Sequence, residues 1–484
     1  MLRVVILASL VLSMLRGADD LAGLYVDAKR AQAAGDLATA TRKYEEIVKL
    51  RPKMAEAHAN LGNLYYQRGE IARAKTAYQT AVAQDAALTG PHFFLGVIAF
   101  GEHDYVIALM QLKRAAAADS ANPLIRAYLG YTYFAQDNYV DAAKNLENAA
   151  SLSPADIDIL YHLSKSYAHL ADRAFAQLQS QFPRSGYTIL VRAHLAEAKG
   201  RWQDAAEDYG QALAIFPDNA RLREKQQASA GKAAGNSMVA DKLPADELAD
   251  GSLTYKEKSL SGRELAQEIS RLQGRLDSLT ATGERSLYLR GESYQSLAYL
   301  TSLSVFEIDA DSYRAHQLRA QMLEASDNDD GAINEYREVI KRKPDLQNIH
   351  FAIGSIYWKD HQLEKAEDEL QLELKANPHH PQALYELGDI CAGKNDLVSA
   401  EKYLLAAIKL QPRFPEARFA LEKIYTESGR YDASLDQLRA VLNGDPGQAT
   451  AHYRLGIVYR KMGRQQEAQQ ELALFEKSAP RVKQ

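Results

Sequence analysis

The chain has 484 residues, of which 46% are hydrophobic and 25% charged, a composition typical of a folded protein and not of a disordered one. The net charge is −5, with 58 basic and 63 acidic residues interspersed, so the sequence carries no basic footprint for nucleic acid. The single cysteine, Cys391, excludes an intramolecular disulfide.

The N-terminal segment has the pattern of a secretory signal peptide. Arg3 precedes an apolar run from Val4 to Leu15, and the small residue Ala18 follows. The run suits a signal-peptide core but is shorter than the roughly 20 residues that span a bilayer. We therefore expect residues 1–18 to be a signal peptide and the protein to be periplasmic or secreted. The alternatives are an uncleaved N-terminal membrane anchor and a cytoplasmic protein.

Beyond this segment, several residue types recur every 34 residues. The glycines of the series are Gly62, Gly96 and Gly130, and later Gly354, Gly388 and Gly456. The prolines are Pro344, Pro378, Pro412, Pro446 and Pro480. A period of this length indicates a repeat array, in which each unit contacts mainly its neighbours.

Each unit has the pattern of two amphipathic helices. In residues 451–480, Leu455, Val458 and Tyr459 fall at helical spacing, Gly463 interrupts the pattern, and Leu472 belongs to a second helical stretch. Two helices of about 12 residues cannot bury their apolar faces alone, so neighbouring units must stack.

The pattern of Leu61, Gly62 and Tyr65, followed by Ala74 and Tyr78 and a closing proline, resembles the tetratricopeptide repeat. The tryptophan slot of that family never holds tryptophan here. The resemblance implies an all-α fold, a right-handed α-solenoid of antiparallel helix pairs, in two arrays.

The register predicts the following division of the chain. We expect about six repeats over 21–219, a capping helix and linker over 220–262, a divergent helical pair over 263–312, and about five repeats over 313–482. The fifth repeat, 157–185, is five residues short and has Ser164 in its glycine slot, which we interpret as a kink or altered rotation between units. The linker, with few large apolar residues, is predicted to join the arrays, and the divergent pair to cap the second array.

Candidate catalytic residues are better explained by packing. His58 shares one slot with four other histidines, and a residue that recurs once per unit is set by the contact between helices. His379 and His380 have no further ligands at zinc spacing. Residues 325–332 lack the spacing of a calcium loop, and residues 230–235 lack that of a phosphate-binding loop. We therefore predict no catalytic, cofactor or metal site, and no small-molecule substrate.

Aromatic residues are the best candidates for a binding surface. In this family the groove of the superhelix, lined mainly by first helices, typically binds peptides or partner helices, so the resemblance implies which slots face it. The predicted groove residues are Tyr66, Phe100, Phe134, Phe351, Trp358, Tyr385, Phe419 and Tyr453. Packing against the neighbouring unit is the alternative role for each of them.

The sequence thus predicts a non-enzymatic scaffold that binds peptide segments or helices of other proteins, peripheral to the cell envelope at most. An envelope glycan binder and an enzyme-accessory subunit remain alternatives, since exposed aromatic rings also stack on sugars. The partner's identity does not follow from the sequence.

Overall fold

The computed structural model describes residues 21–235, 262–279 and 281–478, and within them every regular element is a helix. The chain forms two compact units, Met1–Ala310 and Asp311–Gln484. The predicted signal peptide, most of the predicted linker and the last proline of the series lie outside the described residues.

The first unit begins with α1, residues 21–33. Its further helices are α2 (Leu37–Leu50), α3 (Ala55–Gln67), α4 (Ile71–Gln84), α5 (Thr89–Gly101), α6 (Tyr105–Ala118), α7 (Pro123–Ala135), α8 (Tyr139–Leu152), α9 (Ile157–Gln181), α10 (Gly186–Ala198), α11 (Trp202–Ile215), α12 (Ala220–Ala233), α13 (Gly262–Ser278) and α14 (Glu284–Ile308).

The second unit consists of five helix pairs. They are α15 (Tyr313–Ala325) and α16 (Asp329–Arg342), α17 (Ile349–Lys359) and α18 (Leu363–Ala376), α19 (Pro381–Gly393) and α20 (Leu397–Leu410), α21 (Pro415–Glu427) and α22 (Tyr431–Gly444), and α23 (Ala449–Lys461) and α24 (Gln465–Ser478). The helices stack in chain order, so the fold is an α-solenoid.

A left-handed residue forms the turn inside each ordinary pair. Glycine holds this position at Gly69 and Gly463, with φ of 75° and 77°, while Asp137 and Asn395 hold it in other pairs. The second helix then begins at a polar cap in several pairs; for example, the carboxylate of Asp396 accepts a hydrogen bond from the Ser399 backbone N–H at 3.1 Å. Turn and cap together fix where one helix ends and the next begins.

The recurring glycines allow the two helices of a pair to approach closely. A Cβ added at Gly96 would lie 2.6 Å from Cγ of Leu112, and one added at Gly62 would lie 2.6 Å from the Tyr78 ring. Both partners lie on the second helix of the same pair, 16 residues later. The glycine slot is therefore a packing requirement, as the sequence pattern predicted.

The repeat that begins at 415 departs from the pattern at two slots, and the two departures compensate each other. Glu422 replaces the glycine and Ser434 the alanine, and both are buried. The Thr426 hydroxyl donates to Oε1 of Glu422 at 2.8 Å and lies 2.8 Å from Oγ of Ser434. Nη1 of Arg454, in the next repeat, donates to Oε2 of Glu422 at 2.8 Å. A polar cluster thus takes the place of the usual apolar contact.

The fifth repeat does not contain a helix pair. We expected a kink or altered rotation, but residues 157–181 form one continuous 25-residue helix, α9. The position that would be the turn residue is Ala171, which is buried inside this helix. Because the shortened repeat has neither a left-handed residue nor a polar cap at that point, nothing ends the first helix.

The divergent pair is also placed differently from the expectation that it caps the second array, which is wrong. Helices α13 and α14 belong to the first unit, where α14 packs along α9. Leu297 and Leu300 share a buried cluster with Tyr167, while Leu287 shares another with Leu178. The two long helices therefore run antiparallel, and α14 supplies the partner that a second helix would have supplied.

Candidate functional site

The recurring histidines connect each first helix to two neighbouring segments. Nε2 of His92 donates to the backbone carbonyl of Ala86 at 3.1 Å, and its Nδ1 lies 2.6 Å from the Gln111 side chain. His452 repeats this arrangement with Pro446 and Glu471, at 3.1 and 2.7 Å. The slot thus joins the preceding turn to the second helix of the same repeat. This is a structural role, as the sequence predicted.

His58 keeps only half of this arrangement. Its Nε2 donates to the Pro52 carbonyl at 2.9 Å, but the residue 19 positions later is Ala77, which offers no polar group. His58 is half-buried, so the description of it as a core residue is too strong.

We expect His92→Phe to lower the free energy of unfolding by about 1–2 kcal/mol, because it leaves the Ala86 carbonyl and the Gln111 amide without their partner. His58→Phe, which removes one exposed hydrogen bond, should change it by less than about 0.5 kcal/mol. Urea unfolding of both variants measures the difference. Equal costs would show that these hydrogen bonds are not what the slot provides.

The first helices of the ordinary repeats line the inner face of each stack. Within the described residues, α3 contacts α5 and α5 contacts α7, and likewise α17 contacts α19 and α19 contacts α21. No two successive second helices, such as α4 and α6, come comparably close. A stack curves toward the side on which its helices are closer, so residues on the first helices form its concave side.

In the first unit the inner face carries a connected set of aromatic rings, which we call the inner aromatic surface. Its members are Tyr66, Phe93, Phe94, Phe100, Tyr128, Tyr131, Phe134 and His162. Neighbouring ring centroids lie between 4.5 Å, for Tyr131 and His162, and 6.1 Å, for Phe134 and His162. All eight rings are half-buried.

Three members of this surface, Tyr66, Phe100 and Phe134, were predicted from one slot, and the structure brings them together through rings that were not predicted. Phe93 and Tyr128 lie at the centre, 5.6 Å apart. A signal for the missing rings exists in the sequence. Phe94, Tyr128 and His162 are themselves spaced by 34 residues, in a slot beside the one that was used.

The four predicted rings of the second unit lie on successive first helices, and each packs against a different neighbour. Phe351 lies 4.3 Å from the His380 ring, and Tyr385 lies 5.2 Å from Phe414. Both neighbours are N-cap residues of the next first helix.

The last two rings of this set contact other elements. The Arg454 guanidinium lies 4.8 Å from the centre of the Phe419 ring. Tyr453 packs 5.3 Å from Phe475 and is 46% exposed, which makes it the most accessible of the four.

Trp358 lines a cavity of about 380 Å³ on the inner face of the second unit. Its indole N–H donates to Asp389 at 3.0 Å, and its ring lies 6.1 Å from Tyr385. Lys423 and Glu427 of α21 complete the polar part of the wall. The cavity therefore combines an oriented aromatic ring with charges of both signs.

Close to this cavity, Glu386 has an unusual protonation behaviour. Its buried carboxylate accepts the Ser355 hydroxyl at 2.7 Å, and burial raises its pKa to about 7 from the ordinary 4.5. Because the folded state then binds the proton more tightly than the unfolded state, the carboxylate costs stability as pH rises from about 4.5 to 7.

We expect Glu386→Gln to remove this cost. The variant should gain roughly 2–3 kcal/mol over the unmodified protein between pH 5 and pH 8, with the difference growing as pH rises. Thermal unfolding of both proteins at the two pH values measures it. A difference that stays constant across this range would show that Glu386 titrates at its ordinary pKa in the folded protein.

Other kinds of site were searched for across the same part of the chain. Among the described residues, no group of three or more histidine, cysteine or acidic side chains is arranged to hold a metal ion. The searched helices also include none whose length and apolar character would let it cross a bilayer. His380 is the N-cap of α19, where its Nδ1 accepts a hydrogen bond from the Ala383 N–H at 3.2 Å and burial lowers its pKa to about 4.

The stacked helix pairs with a lined inner face define an α-solenoid repeat protein. Family models described as TPR repeat or tetratricopeptide repeat match residues 31–88, 351–421, 423–463 and 450–481. The matches fall in both compact units. The chain is a tetratricopeptide repeat protein.

Solved structures with similar folds are distant in sequence. YrrB, described as a TPR protein with an unusual peptide-binding site, is 22% identical over 37% of this chain and 93% of its own, with a TM-score of 0.33. A MamA protein is 20% identical over 35% and 92%, with a TM-score of 0.33. A structure of the APC/C hetero-tetramer Cut9-Hcn1 is 16% identical over 95% and 93%, with a TM-score of 0.34. No curated relative matches the chain.

Proposed function

We propose that this protein is a non-enzymatic scaffold whose inner aromatic surface binds a peptide segment or helix of a partner protein. The observation that carries the proposal is the continuity of this surface across α3, α5, α7 and α9. Half-buried rings held by their neighbours lose little conformational freedom on binding, and aromatic residues in such positions supply most of the energy of many interfaces.

The chemistry of the surface favours a partner with apolar anchors. Phe93, Phe94 and Phe100 offer no polar group, whereas the Tyr128 and Tyr131 hydroxyls can hydrogen bond to a peptide backbone. Burial raises the pKa of the Tyr128 hydroxyl, so it remains neutral at physiological pH. A helix or extended segment with several large apolar side chains along one face would contact several rings at once.

The second unit offers a different kind of site. The cavity beside Trp358 suits a single side chain, since Asp389 and Lys423 both lie in its wall. We propose that it binds a second segment of the same or another protein partner. The sequence of residues 1–18 supports an exported protein, so the partners would belong to the envelope or the exterior.

The experiment is a selection of random peptides displayed on phage, using the full chain as the target. We expect the selected peptides to be enriched in Leu, Phe and Trp. They should lose binding to the double variant Tyr128→Ala/Tyr131→Ala. The matched control is Val106→Ser/Ile107→Ser on α6, a second helix, where Val106 is 72% exposed.

Circular dichroism of each variant establishes that it is folded. Selected peptides that bind the inner-face variant as tightly as the unmodified protein would refute the proposal. Loss of binding only in the α6 variant would place the binding surface on the second helices instead.

A further inference from the structure

The first unit contains a second cavity, of about 430 Å³, between α9, α10 and α14. It lies where α9 continues past the point at which an ordinary repeat would turn. Ala168, Ala171 and Phe175 of α9 form one wall, and Val191 and Leu195 of α10 form the opposite one. Most of the lining is therefore apolar, and the cavity is open to a ligand with an aliphatic part.

One side chain in the lining is not explained by the fold. Glu292 of α14 is 6% exposed, and its carboxylate is part of the cavity wall. The structure gives this carboxylate no hydrogen bond to any described residue, and its nearest basic group is Nδ1 of His194, 3.6 Å away. A buried carboxylate without a donor is costly, and other buried acids of this chain do have donors. Glu386, buried to the same 6%, accepts the Ser355 hydroxyl.

The remaining polar groups make the cavity suitable for a cation. Asp172 adds a second carboxylate to the wall, and Gln179 and Gln295 add amide oxygens. His194 is the only basic residue among those that line the cavity. A ligand that carried a positive charge would supply Glu292 with the hydrogen-bond donors that the protein does not supply.

We propose that this cavity binds a primary aliphatic ammonium group. The ammonium head lies against Glu292 and Asp172, and its alkyl chain lies along Ala171, Phe175 and Leu195. A free alkylamine and the lysine side chain of a peptide share this chemistry. The site is separate from the inner aromatic surface and does not depend on the function proposed for that surface.

Isothermal titration calorimetry at pH 7.5 tests the proposal on the full chain, with n-hexylamine as the probe and hexan-1-ol as its neutral counterpart. Hexylamine is protonated at this pH. We expect saturable binding of hexylamine and at least tenfold weaker binding of hexanol. Nα-acetyl-lysine methylamide distinguishes the sources: tighter binding than hexylamine identifies a protein side chain as the ligand, and weaker binding identifies a free amine.

Three variants locate the site. Glu292→Gln should weaken hexylamine binding at least tenfold, and Ala298→Leu, which fills part of the cavity, should abolish it. Glu386→Gln is the matched control and should leave the affinity unchanged. Glu292→Gln should also raise the melting temperature of the free protein, because it removes a buried charge that has no donor.

Equal binding of hexylamine and hexanol, or the absence of saturable hexylamine binding, would overturn the proposal. So would a Glu292→Gln variant with unchanged affinity. A fall in the melting temperature of Glu292→Gln would mean that the carboxylate stabilises the fold, which contradicts the role given to it here.

Discussion

Replacing Gly291 with valine is expected to lower the free energy of unfolding of the first unit by about 3 kcal/mol. A Cβ at this position would overlap the Phe175 ring, which lies between α14 and α9. Phe175 is packed within a cluster that includes Leu178 and Tyr288, so the ring cannot move aside without opening that cluster. The variant therefore tests the antiparallel pairing of the two long helices.

The control for this prediction is Gly210→Val in α11. Gly210 is also in the middle of a helix of the first unit, but a Cβ added there meets nothing within 4 Å. We expect a change of less than about 1 kcal/mol. Urea unfolding followed by circular dichroism measures both variants. Similar effects at the two positions would show that α14 does not pack closely on α9.

Replacing Tyr128 with alanine is expected to weaken binding of a selected peptide by about 2 kcal/mol, or roughly 30-fold. Tyr128 is central, with Phe93, Phe100 and Tyr131 as ring neighbours. Tyr66, at the end of the surface, has Phe94 as its ring neighbour, so Tyr66→Ala should weaken binding less than tenfold.

Tyr385→Ala provides the contrast from the second unit. Its ring packs against Phe414, the buried N-cap residue of α21, so the substitution removes a contact between repeats. We expect its melting temperature to fall, with little effect on a peptide bound to the first unit. Fluorescence anisotropy of a labelled peptide measures affinity. The prediction fails if Tyr128→Ala and Tyr66→Ala weaken binding equally, or if Tyr128→Ala lowers the melting temperature but leaves the affinity intact.

The regular part of the fold could be predicted because each recurring residue has one local physical reason. Gly96 is small where Leu112 approaches, and Gly69 adopts a left-handed φ that favours glycine. The turn also forms at Asp137, where glycine is absent, since aspartate and asparagine tolerate this conformation. Such features repeat with the period, and the period made them visible.

The departures from regularity could not be predicted from the period. A repeat that is five residues short can absorb the loss in its turn or in a helix, and only the packing of α9 on α14 shows that the turn is lost. The partner of Tyr167 is Tyr294, far along the chain, and no local pattern connects these positions. A helix that packs on a distant segment in this way is set by tertiary contacts, which outweigh the sequence register.

The candidate site was predicted in part for the same reason. Tyr66, Phe100 and Phe134 share a slot and were found, whereas Phe93 and Tyr128 occupy different slots and contact each other only when α5 and α7 stack. The sequence shows which residues lie on the first helices, but the connection between their rings depends on how the helices are rotated. The carboxylate of Glu292 was not found because its environment comes from three separate helices.

Site-specific photo-cross-linking tests the central claim most directly. A benzophenone amino acid placed at position 93, on the inner face, and at position 106, on α6, is irradiated with a bound partner peptide from the selection. The account predicts cross-links from position 93 and none from position 106, although Val106 is the more exposed residue. Cross-links from position 106 in the absence of any from position 93 would contradict it.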